Sequence, residues 1–344
     1  MKHILCITTY PPRVCGIATF SYDLIKAINK KFKKDYVVEV CAVESEIEKH
    51  SYDDTVKYVL NSSEKADFDV ISKKINHDAD IDLVCIQHEF GLYYENQKSF
   101  LKFVQTITKP IVIVFHTVLS NPKNSSREYL KNIIDACQAV VVMTHSSSAI
   151  LQNEYQVEKG KINIISHGTH LVSQIDKKQL KKRYGFSGRP VLSTFGLLSP
   201  GKSIETTLDA LPAIIKENPS VLFLIIGETH PVVVKKYGEI YREGLKAKVK
   251  ALNLTDNVKF INKYLDITTL LEYLQMTDIY LFTSSDPNQA VSGTFVYALS
   301  CGCPIIATPI PHAFELLSDN TGIIFDFHDS LQLAKSTNSL LKDE

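Results

Sequence analysis

An α/β fold of two doubly wound, Rossmann-like domains is predicted by three observations. Apolar strands alternate with amphipathic helical stretches along the whole chain, the pattern of helices covering both faces of a parallel sheet. The same grammar begins twice, at the start and again near Val191. At 344 residues the chain is long enough for two domains, each burying its own core.

In the first half, strands are expected at His3–Thr9, Tyr36–Ala42, Leu83–Gln87, Ile111–His116 and Ala139–Thr144, from their apolar and β-branched runs. Helical spacing of apolar residues fits Ala18–Ile28, Tyr94–Thr106, Ser126–Cys137 and Ser146–Tyr155. The pattern breaks after Ile162-Asn-Ile-Ile-Ser-His-Gly168, in a polar, lysine-rich stretch that ends at Tyr184-Gly-Phe-Ser-Gly-Arg-Pro190. The domains are therefore expected to span 1–170 and 171–344.

The second half opens with a strand at Val191–Phe195, a glycine-containing loop at Gly196–Lys202 and a helix at Ser203–Ile215 with Ser203 as its cap. Further strands fit Leu222–Gly227, Val258–Ile261, Ile279–Phe282 and Ile305–Ala307. The chain is expected to stop, at Leu340-Leu-Lys-Asp-Glu344, before any closing helix. A cleft between two such domains, faced by the carboxyl ends of both sheets, is the expected ligand site.

Bulk charge narrows the function classes. Lysine plus arginine equals aspartate plus glutamate, 38 of each, and the pI is near 7.2. No global field recruits nucleic acid or anionic membrane. The local exception, Lys26 to Lys34, reads as a solvated helix end, with at most a peripheral membrane contact. No run approaches the ~18 apolar residues of a membrane span. No signal peptide is evident, and the seven cysteines suit reduced thiols, so a cytoplasmic location is expected.

The most informative segment is Asp286-Pro-Asn-Gln-Ala-Val-Ser-Gly-Thr-Phe-Val-Tyr-Ala-Leu-Ser-Cys-Gly-Cys-Pro304, lying between two apolar runs. It reads as strand, loop, short helix, strand. Ser292 is expected to cap the helix, and Gly302 to end it in the left-handed conformation. The backbone N–H groups of Ser292, Gly293 and Thr294 then stand at a strand's carboxyl end, a phosphate-binding arrangement.

Lys202 precedes a helix start, where a cation opposes the dipole unless an anion resides there. Gly16, in the loop after the first strand, lets backbone approach a ligand closely, and Arg13 in that loop is a candidate anion contact. His116 ends a buried strand and is placed to bond a sugar hydroxyl. His88 and Glu89 end another strand and are candidates for the acceptor side. Asp78-Ala-Asp80 precedes its strand and reads as a solvated turn; neither a metal nor a cofactor is expected.

With these loops placed, the chain resembles glycosyltransferase family 4, the retaining sugar transferases of GT-B fold. The resemblance rests on the Gly16 loop, His116, Gly196-Leu-Leu-Ser-Pro-Gly-Lys202 and the 286–304 segment ending Ala-Leu-Ser-Cys-Gly-Cys-Pro. That family carries two glutamates eight positions apart, one toward the transferred sugar and one toward the ribose; here those positions hold Gln289 and Tyr297. Its phosphate-binding arginine falls at Leu197, and the second glycine of its first loop at Cys15.

The resemblance implies a metal-independent transferase that moves a sugar from a nucleotide diphosphate-sugar to a sugar or glycan acceptor, with retention. Lys202, Ser292, Gly293, Thr294, Gly16 and Tyr297 would bind the donor. His116 and Gln289 would contact the transferred sugar, and Arg13, His88 and Glu89 the acceptor. With both carboxylates absent, two alternatives stay open: a glycoside phosphorylase using the same anion pocket, and a catalytically silent sugar- or nucleotide-binding module.

Overall fold

The computed structural model describes residues 1–317 and 321–342. The chain divides into two compact units, the first Met1–Gly168 and the second beginning at Thr169, just short of the boundary read from the sequence.

The first unit is built on seven parallel strands: β1 (Lys2–Thr8), β2 (Tyr36–Glu44), β3 (Val56–Asn61), β4 (Leu83–His88), β5 (Ile111–Phe115), β6 (Ala139–Val142) and β7 (Ile162–Ile164). Their order is β3-β2-β1-β4-β5-β6-β7. The chain winds outward from β1 to β3, then returns to pair β4 against the other side of β1. The crevice at that reversal is where open α/β sheets place ligands.

The second unit repeats the plan with β8 (Val191–Phe195), β9 (Leu222–Ile226), β10 (Val258–Ile261), β11 (Ile279–Phe282), β12 (Ile305–Ala307) and β13 (Ile323–Ile324). The order β10-β9-β8-β11-β12-β13 puts the reversal between β8 and β11. Every residue of β8, β9, β11 and β12 is buried, because helices cover both faces. Helix Ile204–Glu217 inserts Ile204, Leu208, Leu211 and Ile214 against β8 and β9. Each such side chain contributes about 1.5–3 kcal/mol of burial.

Two expectations need correction. A closing helix does form at Ser330–Leu340. Asp329 caps it by accepting from the Gln332 amide at 2.8 Å, and Leu333 and Ala334 join the core of helix Ile204–Glu217. Its mostly polar sequence hides it, since Asn338 reaches Glu217 and Asn218 by hydrogen bonds rather than by apolar contact. The lysine-rich stretch likewise contains a helix, Lys177–Tyr184. Leu180 is its one buried residue. Tertiary polar contacts fix the rest: Lys181 to Asp278, Arg183 to Glu272, and the Tyr184 hydroxyl to Glu272 at 2.6 Å.

Candidate functional site: an unpaired lysine beside a helix start

The two loops singled out in the second half flank the β8/β11 reversal. The β8-exit loop turns at Gly196, φ +127°, and runs through a short 3-10 turn, Pro200–Lys202. The β11-exit loop is tied to it. Thr283 Oγ1 donates to the Lys202 carbonyl at 2.7 Å, and the Ser285 amide to the Gly201 carbonyl at 3.0 Å. Helix Gly293–Ser300 then begins, and Gly302 at φ +74° ends it as expected.

Gly196, Lys202 and Thr294 converge. A Cβ at Gly196 would stand 3.1 Å from Thr294 Cγ2 and 3.3 Å from Lys202 Nζ. Lys202 is mostly buried, and burial lowers its pKa to about 8. Its ammonium forms no hydrogen bond or ion pair with any described residue. It lies 6.0 Å from the centre of the Phe282 ring, and the first turn of helix Gly293–Ser300 leaves amides without intrahelical acceptors. A buried cation beside oriented N–H donors is chemically an anion receptor.

Details of the caps differ from expectation. Ser292 occupies the N-cap but makes no side-chain cap bond; its hydroxyl pairs with Thr294 Oγ1 at 3.0 Å. Its amide donates to His312 Nδ1 at 3.1 Å, so the available amides are those of Gly293 and Thr294. Ser203 is left-handed, φ +46°, and its hydroxyl bonds Thr206 and His328 instead of capping.

Gln289 is held by its own loop, accepting from Ser284 Oγ at 2.6 Å and donating to the Val291 carbonyl at 3.2 Å. Tyr297 is 9% exposed. Its hydroxyl meets His170 Nε2 at 3.2 Å, and its ring stacks on Phe195. His170 carries no local sequence signal; its partner lies far along the chain.

In the first unit the polar groups are largely committed to one another. His116 Nε2 meets Gln87 Oε1 at 2.8 Å. An amide oxygen only accepts, so Nε2 carries the proton and Nδ1 is a lone-pair acceptor. Burial, with His167 nearby, lowers the His116 pKa to about 3, and the ring is neutral. Phe20 meets His116 edge-on and His167 at a tilt, 5.0 Å between centroids in each case. No positional signal in the sequence marks His167. The space beside Gly16 is open, with nothing within 4 Å of an added Cβ.

The acceptor-side candidates are placed otherwise than expected. Arg13 is mostly buried, pairs with Glu48 at 2.7 Å and donates to the Val43 carbonyl, so its charge is already balanced. His88 is 1% exposed and packed among Phe90, Tyr93, Phe100 and Phe115, where burial keeps it neutral. It is a core residue, not a surface for an acceptor. Glu89 caps Phe90–Tyr93 and accepts from Thr117 Oγ1 at 2.7 Å. Asp78 pairs with Lys57 and Tyr58.

Known proteins share this architecture. Residues 176–344 match the family described as Glycosyl transferases group 1. A GDP-mannose-dependent monoacylated alpha-(1-6)-phosphatidylinositol monomannoside mannosyltransferase from Corynebacterium glutamicum is 22% identical, covering 99% of this chain and 89% of its own. Among solved structures, Anabaena Alr3699/HepE in complex with UDP is 20% identical with a TM-score of 0.73, over 100% of this chain and 90% of that one. Sucrose-phosphate synthase from Thermosynechococcus elongatus is 15% identical with a TM-score of 0.75, over the same shares. Among the described residues no helix is long and apolar enough to cross a membrane. The chain has the two-domain fold of GT-B glycosyltransferases, and within its second unit residues 176–344 match glycosyl transferases group 1.

Proposed function

We propose that this enzyme transfers a sugar, with retention of anomeric configuration, from a nucleoside diphosphate-sugar to a sugar or glycan acceptor, without a metal. The observation that carries the reading is the mostly buried Lys202 ammonium, unpaired among the described residues beside Gly196 and the start of helix Gly293–Ser300. A nucleoside diphosphate is also what the names of similar proteins share, UDP for the Anabaena complex and GDP-mannose for the Corynebacterium enzyme.

The diphosphate would accept from Lys202 Nζ and from the amides of Gly293 and Thr294. As the bond between the anomeric carbon and the diphosphate oxygen breaks, negative charge grows on that oxygen. Preorganised donors at this position stabilise the growing charge, usually the largest catalytic term. The acceptor oxygen bonds to the anomeric carbon on the face the phosphate leaves, and its proton passes to the departing phosphate. No protein nucleophile enters, so the neutral Gln289 is compatible with the step. In this reading neutral His116, with Nδ1 as an acceptor, would contact a hydroxyl of the transferred sugar, and Tyr297 would be the ribose neighbour.

Thermal-shift screening against UDP, GDP, ADP, inorganic phosphate and their sugar conjugates tests the reading, because a ligand of the native state raises the midpoint with its affinity and concentration. A shift with one nucleoside diphosphate, followed by transfer from its sugar conjugate, supports it. A response confined to phosphate and sugar phosphates replaces it with a phosphorylase. Nucleotide binding without turnover of any donor leaves a silent binding module.

A further inference from the structure

Arg242 is among the largest fully buried side chains, 1% exposed, and the anion reading gives it no role. It lies on helix Ile240–Ala251, outside both loops that flank the β8/β11 reversal. We propose that Arg242, Thr229 and Glu239 form a positioning strut that fixes the Gly196–Lys202 loop and so holds the Lys202 ammonium against the start of helix Gly293–Ser300.

All the guanidinium's partners belong to the β9-exit loop or its sequel. Arg242 Nη2 donates to the Gly227 carbonyl at 2.9 Å. Its Nε donates to Thr229 Oγ1 at 3.2 Å and to Glu239 Oε2 at 3.3 Å. Thr229 Oγ1 in turn donates to the same Glu239 oxygen at 2.5 Å. Burying an arginine is unfavourable, and here Nη1 has no hydrogen-bond partner among the described residues. Such a residue persists where its fixed fork sets a geometry.

What it sets is the β8-exit loop. The Gly196 amide donates to Ile226, the Leu198 amide to Glu228 at 2.8 Å, and the His230 amide to Leu198 at 2.9 Å. Gly227, at φ +131°, packs so closely that a Cβ there would stand 2.1 Å from the Gly196 carbonyl oxygen. Gly196 then abuts Lys202 Nζ and Thr294. The line of contact runs from Arg242 through Gly227 to Gly196 and Lys202, all backbone or buried atoms. Supporting residues of this kind decide whether a site is held tightly enough to act.

Glu239 is half-exposed and lines an open pocket of about 390 Å³, so Glu239→Gln perturbs the strut from its solvent side, while Thr229→Val removes only the buried hydroxyl at nearly unchanged volume. The first readout needs no ligand. Competitive acylation of Lys202 across pH, followed by peptide mass spectrometry, gives its titration midpoint. The native midpoint is expected near pH 8. Thr229→Val, Glu239→Gln and Arg242→Met are expected to move it upward by roughly one unit as the loop loosens and water reaches the amine. Arg242→Lys, which keeps one donor for Gly227, recovers part of the shift.

The functional consequence rests on the anion reading and is measured separately, as an approximately tenfold loss of nucleoside diphosphate affinity in the same variants. Unchanged Lys202 midpoints, with only a lower melting temperature, overturn the strut. If Arg242→Met does not fold, Thr229→Val and Glu239→Gln decide alone. Native protein that binds no nucleoside diphosphate sinks the anion reading, while the acylation midpoints still judge the strut.

Discussion

The two units place polar side chains at equivalent strand ends and treat them oppositely. In the first, Arg13 is neutralised by Glu48, Glu89 holds Phe90 and Thr117, and His116 is turned by Gln87. In the second, Lys202 is left without a counter-charge among the described residues, and its pKa falls to about 8. The difference teaches where a ligand is needed. A group that the fold has already satisfied costs little and needs nothing more. A buried cation that the fold leaves unsatisfied lowers the stability of the empty protein, and binding of an anion restores it.

The largest expected effect breaks the comparison at its centre. Lys202→Met should weaken nucleoside diphosphate binding by about 10- to 100-fold, the worth of a charge-assisted hydrogen bond, measured by calorimetry. The same variant should be more stable than the native chain when empty. Because burial lowers the lysine pKa, the unfolded chain holds more protons than the folded one between about pH 8 and 10.5. Native stability therefore rises with pH through that window, and below pH 8 the unfavourable term is fully present. The methionine variant should gain on the order of 1–3 kcal/mol there, read from urea midpoints at pH 7.

Next in size is Gly196→Ala. Its φ of +127° disfavours any side chain, and the methyl would press on Thr294 and Lys202. A stability loss of about 1–3 kcal/mol and an approximately tenfold weaker nucleotide are expected; native-like affinity would place the anion elsewhere. A pH series sharpens the same point. Affinity for a fully ionised diphosphate should be flat below pH 8 and fall about tenfold per unit above it. The smallest effect on donor binding belongs to the first unit. Arg13→Ala should change donor affinity by less than about twofold, its cost falling on stability instead, because it strips Glu48 of its partner in a mostly buried pair.

The sheet strands were legible because burial on both faces writes an apolar run into the sequence. Val191–Phe195, Val258–Ile261, Ile279–Phe282 and Ile305–Ala307 coincide with β8, β10, β11 and β12. Edge strand Val56–Asn61 was not legible; Lys57 and the exposed Val59 break its apolar pattern. Helices Lys177–Tyr184 and Ser330–Leu340 escaped notice because polar contacts distant in sequence hold them. In the site, the glycine turns and Lys202 were readable from their places in the loops. The roles of Ser292, Ser203 and His88 were misjudged, since local spacing does not reveal His312, His328 or a ring of four aromatics. His170 depends wholly on tertiary placement, whereas Arg242 combines a local bond to Glu239 with a distant one to Gly227.

The most direct test of Lys202 as the anion's counter-charge is proton uptake on binding. Calorimetry of a nucleoside diphosphate at pH 8, in two buffers of different ionisation enthalpy, measures it. Lys202 is about half protonated at that pH, and an anion beside it should complete the protonation. Uptake of roughly half a proton per nucleotide is expected, abolished in Lys202→Met. Binding with no proton uptake, and with affinity unchanged in that variant, would contradict the account.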